Sequence, residues 1–270
     1  MKTIKLIINH KGKLILLIFS LLNALNMIVF LRNLISIFKG PVWNDFINKN
    51  KLSYNSLIKK SINWIKYSQD KVASGGVGCY EFYRWTKGYP EVTGYIIPTF
   101  INCSKIYNDY NLKLRAFKMA DWELSIQKYD GGWEGQYEGD GKPSIIFNTG
   151  QVIRGLLAAF KESNDEKYLE SAIKAADWII DNQDNDGSWT TKNFKQMKRV
   201  YDTYVTAPLS ELFLITKNNK YRESCVKNCD FVLLNQNDNG WFKMADNTLH
   251  FNHYPVLHTI SYTIDGLIET

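Results

Sequence analysis

Apolar residues recur along most of the chain at the three- and four-residue spacing of amphipathic helices. Four such runs end in segments that align without gaps: SINWIKYSQ at 61–69, MADWELSIQ at 119–127, AADWIIDNQ at 175–183 and NCDFVLLNQ at 228–236. Each segment places an aromatic residue five positions before a glutamine, and the steps between these aromatics are 58, 56 and 53 residues. This regularity indicates an internal repeat whose unit contains one amphipathic helix.

The glutamine of each segment stands just before a predicted turn. Three segments continue into a Gly-Trp turn, in QKYDGGW, QDNDGSW and QNDNGW, which end at Trp133, Trp189 and Trp241. Asp-Gly and Asn-Gly pairs are strong turn formers that end a helix. We therefore predict that the glutamine side chain bonds backbone groups of the turn and that the tryptophan packs against the helix pair.

A second set of segments lies between the first. PEVTGYIIPTFI, FNTGQVIRGLLAAF, YDTYVTAPLSELFLI and LHTISYTIDGLIE align on Thr93, Thr149, Thr203 and Thr259, with steps of 56, 54 and 56 residues. They are apolar on most faces, as expected of buried helices. One amphipathic outer helix and one buried inner helix per repeat predict an array of α-hairpins that stacks into a solenoid or closes into a ring.

The N-terminus has a different pattern. Leu14 to Leu31 is an apolar run of 18 residues broken by one serine and two asparagines, and lysines precede it. We predict a separate segment over 1–40, followed by the helical domain over 41–270. A membrane anchor is favoured over an interfacial or partner helix and over a buried helix of the fold. We expect a membrane-associated protein, and the flanking charges slightly favour the cytoplasmic side.

Composition narrows the choice of partner. Hydrophobic residues at 45% and charged residues at 22% indicate a globular protein, and the net charge of +6 is dispersed, so nucleic acid is not indicated. The aromatic content of 14% suits sugars or apolar ligands. Cys225 and Cys229 share a helix face without a matching histidine or aspartate, which favours packing over a metal site. No nucleotide-binding motif occurs, and we expect no cofactor.

The Q-x-x-D-G-x-W turns resemble those of the α/α-toroid proteins, which include terpenoid cyclases and six-hairpin glycosidases. The fuller set of YPEVTGYIIPTF, FNTGQVIRGLLAAF, DNQDNDGSW and NQNDNGWF resembles a bacterial toroid group that accompanies polysaccharide-biosynthesis genes. This resemblance covers Leu52 to Thr270 and implies an all-α toroid. Four of the expected six inner helices occur, so we expect a truncated chain rather than an open arc. The D-x-D-D cluster through which terpenoid cyclases protonate their substrates is absent.

In such a toroid the N-terminal ends of the inner helices surround the mouth of a funnel. The residues just before the aligned threonines are Asn148, Asp202 and His258, and Glu91 stands two before Thr93. Glu91, Asp202 and His258 are the predicted catalytic residues. For Asn148 and Asp202, helix capping is the alternative. Glu91 and Asp202 lie two repeats apart and could supply the two carboxylates that glycoside hydrolysis requires.

Other side chains of the inner helices and their loops are candidates for substrate binding: Gln151, Arg154, Tyr95, Tyr201, Tyr262 and Arg84. A structural ion pair is the alternative for Arg154. Lyases and uronate epimerases use a tyrosine or histidine base with an arginine or amide near the substrate's charge, and His258, Tyr262, Asn148 and Arg154 would suit that chemistry.

We therefore predict a carbohydrate-active protein, of hydrolase, lyase or epimerase type, that acts on a bacterial surface polysaccharide or its precursor. The alternative is a non-catalytic glycan-binding or scaffolding subunit of a biosynthetic complex.

Overall fold

The computed structural model describes residues 53–81, 84–248 and 256–270, and these form a mostly helical structure. Their α-helices are α1 (Tyr54–Val72), α2 (Pro90–Tyr107), α3 (Tyr110–Ile126), α4 (Ile146–Ser163), α5 (Glu166–Asp181), α6 (Thr206–Thr216), α7 (Asn219–Leu234) and α8 (Leu257–Glu269). Two short 3₁₀ helices, Phe194–Gln196 and Val200–Val205, precede α6. A small antiparallel hairpin of β1 (Tyr80–Glu81) and β2 (Arg84–Trp85), which the sequence did not predict, lies between α1 and α2.

The chain divides into residues 1–62 and 63–270 by its internal contacts, and the hairpins and cavities lie in the second of these units. The predicted segment 1–40, with its apolar run from Leu14 to Leu31, lies outside the described residues. Among the helices that are described, none is both long and apolar enough to cross a membrane.

The predicted α-hairpins are present: α2 pairs with α3, α4 with α5, and α6 with α7. Each connection has the same design. The inner helix ends at a residue in the left-handed conformation, and the next residue caps the outer helix with its side chain. These pairs are Asn108–Asp109, Asn164–Asp165 and Lys217–Asn218. Asparagine tolerates the left-handed conformation, and aspartate and asparagine are preferred caps, so local sequence favours the first two connections. At the third, a lysine adopts the left-handed conformation and Asn218 supplies the cap.

Neighbouring inner helices approach closely where a residue is small. A β-carbon on Gly94 of α2 would lie 2.5 Å from the backbone oxygen of Gln151 in α4. A β-carbon on Gly266 of α8 would lie 2.4 Å from the backbone carbon of Thr203. Because real β-carbons do not come so near other atoms, glycine at these positions permits the packing that brings the inner helices together.

The repeated glutamines have the predicted structural role. Gln127 Nε2 donates to Gly131 O of the turn at 2.8 Å, and Gln183 Nε2 donates to Gly187 O at 3.0 Å. The same nitrogens also donate to the next outer helix, at Ser171 O (3.1 Å) and Ser224 O (3.0 Å). Gln127 and Gln183 thus each stabilise their own turn and also connect two successive repeats.

The prediction for the turn tryptophans is confirmed at two of three positions. Trp133 and Trp189 are fully buried, and their indole nitrogens donate to Glu123 O and Ile179 O of the preceding outer helix. Trp241 is 41% exposed, so the prediction is wrong there. This third turn is one residue shorter, and Phe242 therefore occupies the buried position six residues after the glutamine.

Candidate functional site

A cavity of about 230 Å³ lies where the N-terminal ends of α2, α4 and α8 meet the 3₁₀ helix Val200–Val205. Five residues of its wall are phenylalanine or tyrosine, and five others carry a polar side chain. The aromatic residues are Tyr89, Phe147, Phe194, Tyr201 and Tyr262, and the polar ones are Glu91, Asn148, Asn247, His258 and Thr259. The repeat register thus brings Glu91, Asn148 and His258 to one place, as the sequence predicts.

Glu91 stands in the first turn of α2, and its carboxyl group forms part of the cavity wall. Glu91 Oε2 accepts a hydrogen bond from the Tyr89 hydroxyl at 3.0 Å. Burial raises the pKa of Glu91, and the hydrogen bond from Tyr89 opposes this in part. Burial also raises the pKa of Tyr89, with a further contribution from the charge of Glu91. Glu91 therefore keeps its proton to higher pH than an exposed glutamate, as a proton donor requires.

Asn148 lines the cavity from the first turn of α4 and does not cap that helix. The cap position is Ile145, which makes no side-chain capping bond, so the capping interpretation is wrong for Asn148. Its side chain is 6% exposed, and its amide nitrogen has no hydrogen-bond partner among the described residues. A buried donor in a cavity wall is available to a ligand.

Asp202 does not line this cavity. It is fully buried, and its Oδ2 accepts a hydrogen bond from Asn193 Nδ2. Burial raises the pKa of Asp202, while the Asn193 bond and the charge of Arg199 lower it. Asp202 does not cap α6 either, since Val205 holds that position. The structure therefore does not bring Glu91 and Asp202 face to face across a funnel.

The backbone differs here from the predicted arrangement. Asp202 stands in the 3₁₀ helix Val200–Val205, where Tyr201 lines the cavity and Asp202 is buried in the protein. In α4, by contrast, the adjacent residues Phe147 and Asn148 both line the cavity. An α-helix over the same residues, which the sequence pattern predicts, begins only at Thr206.

His258 and Tyr262 lie four residues apart on one face of α8, with ring centroids 5.9 Å apart. Tyr262 stacks on Tyr204 at 5.0 Å and also contacts Phe147 at 5.2 Å. Tyr95, which lies on α2, stacks on Tyr262 with the ring centroids 6.5 Å apart. Tyr95 does not line the cavity, and neither does Gln151, which is fully buried and donates to Phe147 O at 3.4 Å.

The two predicted arginines lie elsewhere. Arg154 Nη1 pairs with Glu269 Oε2 at 2.7 Å, and its guanidinium packs 4.4 Å from the centre of the Tyr204 ring. This is the structural ion pair that the sequence left as the alternative. Arg84 lines a separate cavity of about 440 Å³ together with Trp85 and Tyr137, outside the wall that holds Glu91.

A further cavity of about 270 Å³ adjoins the first and shares Tyr89, Ile145, Asn148 and Phe194 with it. Gln136 and Lys142 belong to this second cavity. The sequence did not single out Phe194, Asn247, Gln136 or Lys142, because they stand in loops where no repeat aligns them. Tyr89 could have been found from the repeat alignment. It stands four residues before Thr93, as Ile145 stands four before Thr149, and both Tyr89 and Ile145 line the cavity.

The part of the chain that the structure describes contains no group of three histidine, cysteine or acidic side chains placed to hold a metal. Its four cysteines, Cys79, Cys103, Cys225 and Cys229, are free thiols. Cys225 is buried and its thiol donates to Thr206 O at 3.3 Å, which is a packing role.

Several solved structures share this fold. A possible member of the GH105 family from Salmonella enterica serovar Paratyphi A aligns with a TM-score of 0.61 at 12% identity, over 77% of this chain and 64% of that one. The cellobiose 2-epimerase of Bacillus thermoamylovorans aligns with a TM-score of 0.58 at 13% identity, over 78% and 65%. The GH76 α-mannanase of Bacteroides thetaiotaomicron aligns with a TM-score of 0.55 at 14% identity, over 67% and 51%.

The chain thus spans about half to two thirds of the length of these structures, and the likeness establishes the α/α-toroid fold. No curated protein matches the sequence. The family model of the squalene-hopene cyclase C-terminal domain matches residues 91–266, which is more than half of the chain, and the protein therefore belongs to that family.

Proposed function

We propose that this protein is a carbohydrate-active enzyme that transfers protons to and from a sugar held in the cavity at Glu91. Its substrate class is a bacterial surface polysaccharide or its precursor, and its reaction is of the lyase or epimerase type. Support comes from the aromatic wall of the cavity and from neighbours whose names identify them as a mannanase, an epimerase and a possible glycosidase-family member.

The main support is that the partly buried carboxyl of Glu91 and the imidazole of His258 line the same small cavity. Glu91, whose raised pKa favours the protonated form, is suited to donate a proton to a leaving oxygen or to a ring carbon. His258 is suited to remove the proton beside a carboxylate or carbonyl group. Asn148 lines the same cavity, and its amide nitrogen is suited to bind negative charge that develops on the substrate.

The lyase or epimerase type is preferred because the described wall of the cavity has one carboxylate. Glycoside hydrolysis usually needs two carboxyl groups that flank the bond, and Glu91 is the acidic residue of the cavity wall among those described. Asp202 is buried away from it. We do not propose terpenoid cyclisation on the basis of family membership, because the sequence lacks the D-x-D-D cluster through which terpenoid cyclases protonate their substrates.

The test uses solvent deuterium, because a proton that the enzyme abstracts from the sugar is replaced by deuterium, which can be detected even when the product is unknown. The protein is incubated in D₂O with uronic acids, acetamido sugars and their oligomers, and NMR detects deuterium at the sugar carbons or the vinyl protons of an unsaturated product. Glu91→Gln and His258→Asn should each lower turnover by about 10²- to 10⁴-fold while ligand binding persists. Glu170→Gln, on the exposed face of α5, is the matched control.

The pH profile gives a second readout. The rate should fall as pH rises through the raised pKa of Glu91, and this limb should be absent from the residual activity of Glu91→Gln. Full turnover in Glu91→Gln would contradict the assigned role. Sugar binding without any turnover in the wild type would instead support a non-catalytic glycan-binding subunit.

A further inference from the structure

The two adjoining cavities share a wall and differ in chemistry. The inner cavity, of about 230 Å³, holds Glu91 and His258, and the outer cavity, of about 270 Å³, holds Gln136 and Lys142. Cavities that enclose drug-sized ligands usually measure about 300–1,000 Å³. Each cavity alone falls below that range, and the two together fall within it.

Phe194 stands at the junction and contributes to both cavities. Its side chain is 42% exposed, although phenylalanine is among the residues most often buried. The turn that presents it, Phe194–Gln196, contains two residues with positive φ, Lys195 at 60° and Gln196 at 53°. This conformation is unfavourable for residues with a β-carbon and persists where the surroundings impose it.

Hydrogen bonds of Asn193, which is itself bonded to Asp202, hold the Phe194–Gln196 turn in this conformation. Asn193 is 2% exposed, and its Oδ1 accepts a hydrogen bond from Phe194 N at 2.7 Å. Its Nδ2 donates to Met197 O at 3.0 Å, across the turn, and to the buried carboxylate of Asp202. These bonds hold the backbone that carries the exposed Phe194 ring, whose centre lies 5.2 Å from Lys195 Nζ. A backbone held in this way preorganises the turn for a ligand.

We propose that the two cavities are subsites of one cleft that binds a saccharide of at least two rings, with Phe194 as the stacking surface between them. The ring in the inner subsite lies beside Glu91 and reacts, and the ring in the outer subsite lies beside Lys142 and provides binding energy. Asn193 and Asp202 are positioning residues that fix the Phe194 turn. This inference rests on the proposed function and specifies the length of its substrate.

The experiment compares matched pairs of sugars on the full chain by calorimetry: glucose with cellobiose, mannose with mannobiose, galacturonic acid with digalacturonic acid, and N-acetylglucosamine with chitobiose. At least one disaccharide should bind about tenfold more tightly than its monosaccharide. Lys142→Trp narrows the outer subsite and should lower disaccharide affinity to the monosaccharide level without changing monosaccharide affinity. Lys227→Trp, on the exposed face of α7, is the control.

Phe194 is tested in the same assay. Phe194→Ala should weaken disaccharide binding about tenfold, whereas Phe194→Trp keeps a flat face and should retain it. Tyr129→Ala removes an aromatic ring that is 99% exposed and lines neither cavity, and it should have no effect. Thermal melts of all variants confirm that they are folded.

The outcomes separate the two proposals. Equal affinity for both members of every bound pair, or disaccharide binding that Lys142→Trp leaves intact, would overturn the two-subsite inference and leave the proposed function standing. Retention of disaccharide affinity in Phe194→Ala would overturn the role of the stacking surface. Failure of every sugar in the panel to bind would overturn both proposals.

Discussion

Glu123 is a carboxyl group at a position where the repeat otherwise has an apolar residue. It follows Trp122, and the residues at the same place in the next two repeats are Ile179 and Val232. Glu123 is fully buried, and neither oxygen of its carboxyl group has a hydrogen-bond partner within the described ranges. Burial raises the pKa of Glu123 well above its ordinary value, with a smaller contribution from the charge of Glu138.

The perturbation is Glu123→Ile, which restores the residue type of the repeat. A buried polar group without a partner costs about 1–3 kcal/mol, and isoleucine removes that cost while it fills a similar volume. The free energy of unfolding should therefore rise by about 1–3 kcal/mol even at low pH, where the carboxyl group is protonated in both the folded and the unfolded states. For a domain of this size the melting temperature should rise by roughly 2–4 °C per kcal/mol.

The effect has a defined pH dependence. The folded protein holds the Glu123 proton more tightly than the unfolded chain, whose glutamate titrates near 4.5. The stability that this group contributes is complete below that pH and is lost as pH rises through the folded pKa. The gain from Glu123→Ile should therefore be about 1–3 kcal/mol below pH 4.5, where the unpaired polar group is the cost that is removed, and should grow as pH rises.

Urea unfolding at a series of pH values measures both quantities. Glu123→Gln is the informative control, because it removes the titration and keeps an unpaired polar group; its stability should vary less with pH without the full gain of isoleucine. A Glu123→Ile variant that is less stable than the wild type at pH 7, or whose stability varies with pH as the wild type's does, would contradict the cost assigned to Glu123. Either result would show that Glu123 has a favourable interaction in the folded protein.

Two further predictions concern the contacts between repeats. Gln127→Ala removes hydrogen bonds to Gly131 O and Ser171 O and should lower the free energy of unfolding by about 1–3 kcal/mol, measured by thermal and urea unfolding. Gln236 is exposed and donates to Gly240 O, so Gln236→Ala should cost less than about 1 kcal/mol. Equal losses would show that the hydrogen bond between repeats adds no stability. Gly94→Ala places a β-carbon 2.5 Å from the backbone oxygen of Gln151 and should cost about 1–3 kcal/mol, and a neutral result would show that α2 can move away freely.

The repeat pattern predicts the hairpins because it consists of local sequence features. Helical periodicity, the aspartate and asparagine caps and the Gly-containing turns each act over a few residues, so α2 to α5 appear where the sequence places them. The second hydrogen bond of Gln127 and of Gln183 was not predictable in the same way. It joins residues about 44 positions apart, such as Gln127 and Ser171, and depends on how the outer helices stack.

The candidate site was predictable in so far as it follows the register. Glu91, Asn148 and His258 occupy the first turns of regular inner helices, and a common register brings their side chains to the same end of the array. Phe194 and Lys142 stand in loops that have no counterpart in the other repeats. Their positions follow from tertiary hydrogen bonds, such as those of Asn193, which no spacing in the sequence reveals.

Asp202 shows why equal register does not imply equal role. The inner segment after Asn193 begins as a 3₁₀ helix rather than an α-helix, and Asp202, at the aligned position, is buried in the protein. A buried carboxylate is tolerated only with polar partners, and here Asn193 and Arg199 act on it. Asn193 in turn fixes the backbone of Phe194. A polar residue that the sequence assigns to catalysis therefore supports the shape of the cavity, and the reacting groups of the proposed mechanism reduce to Glu91 and His258.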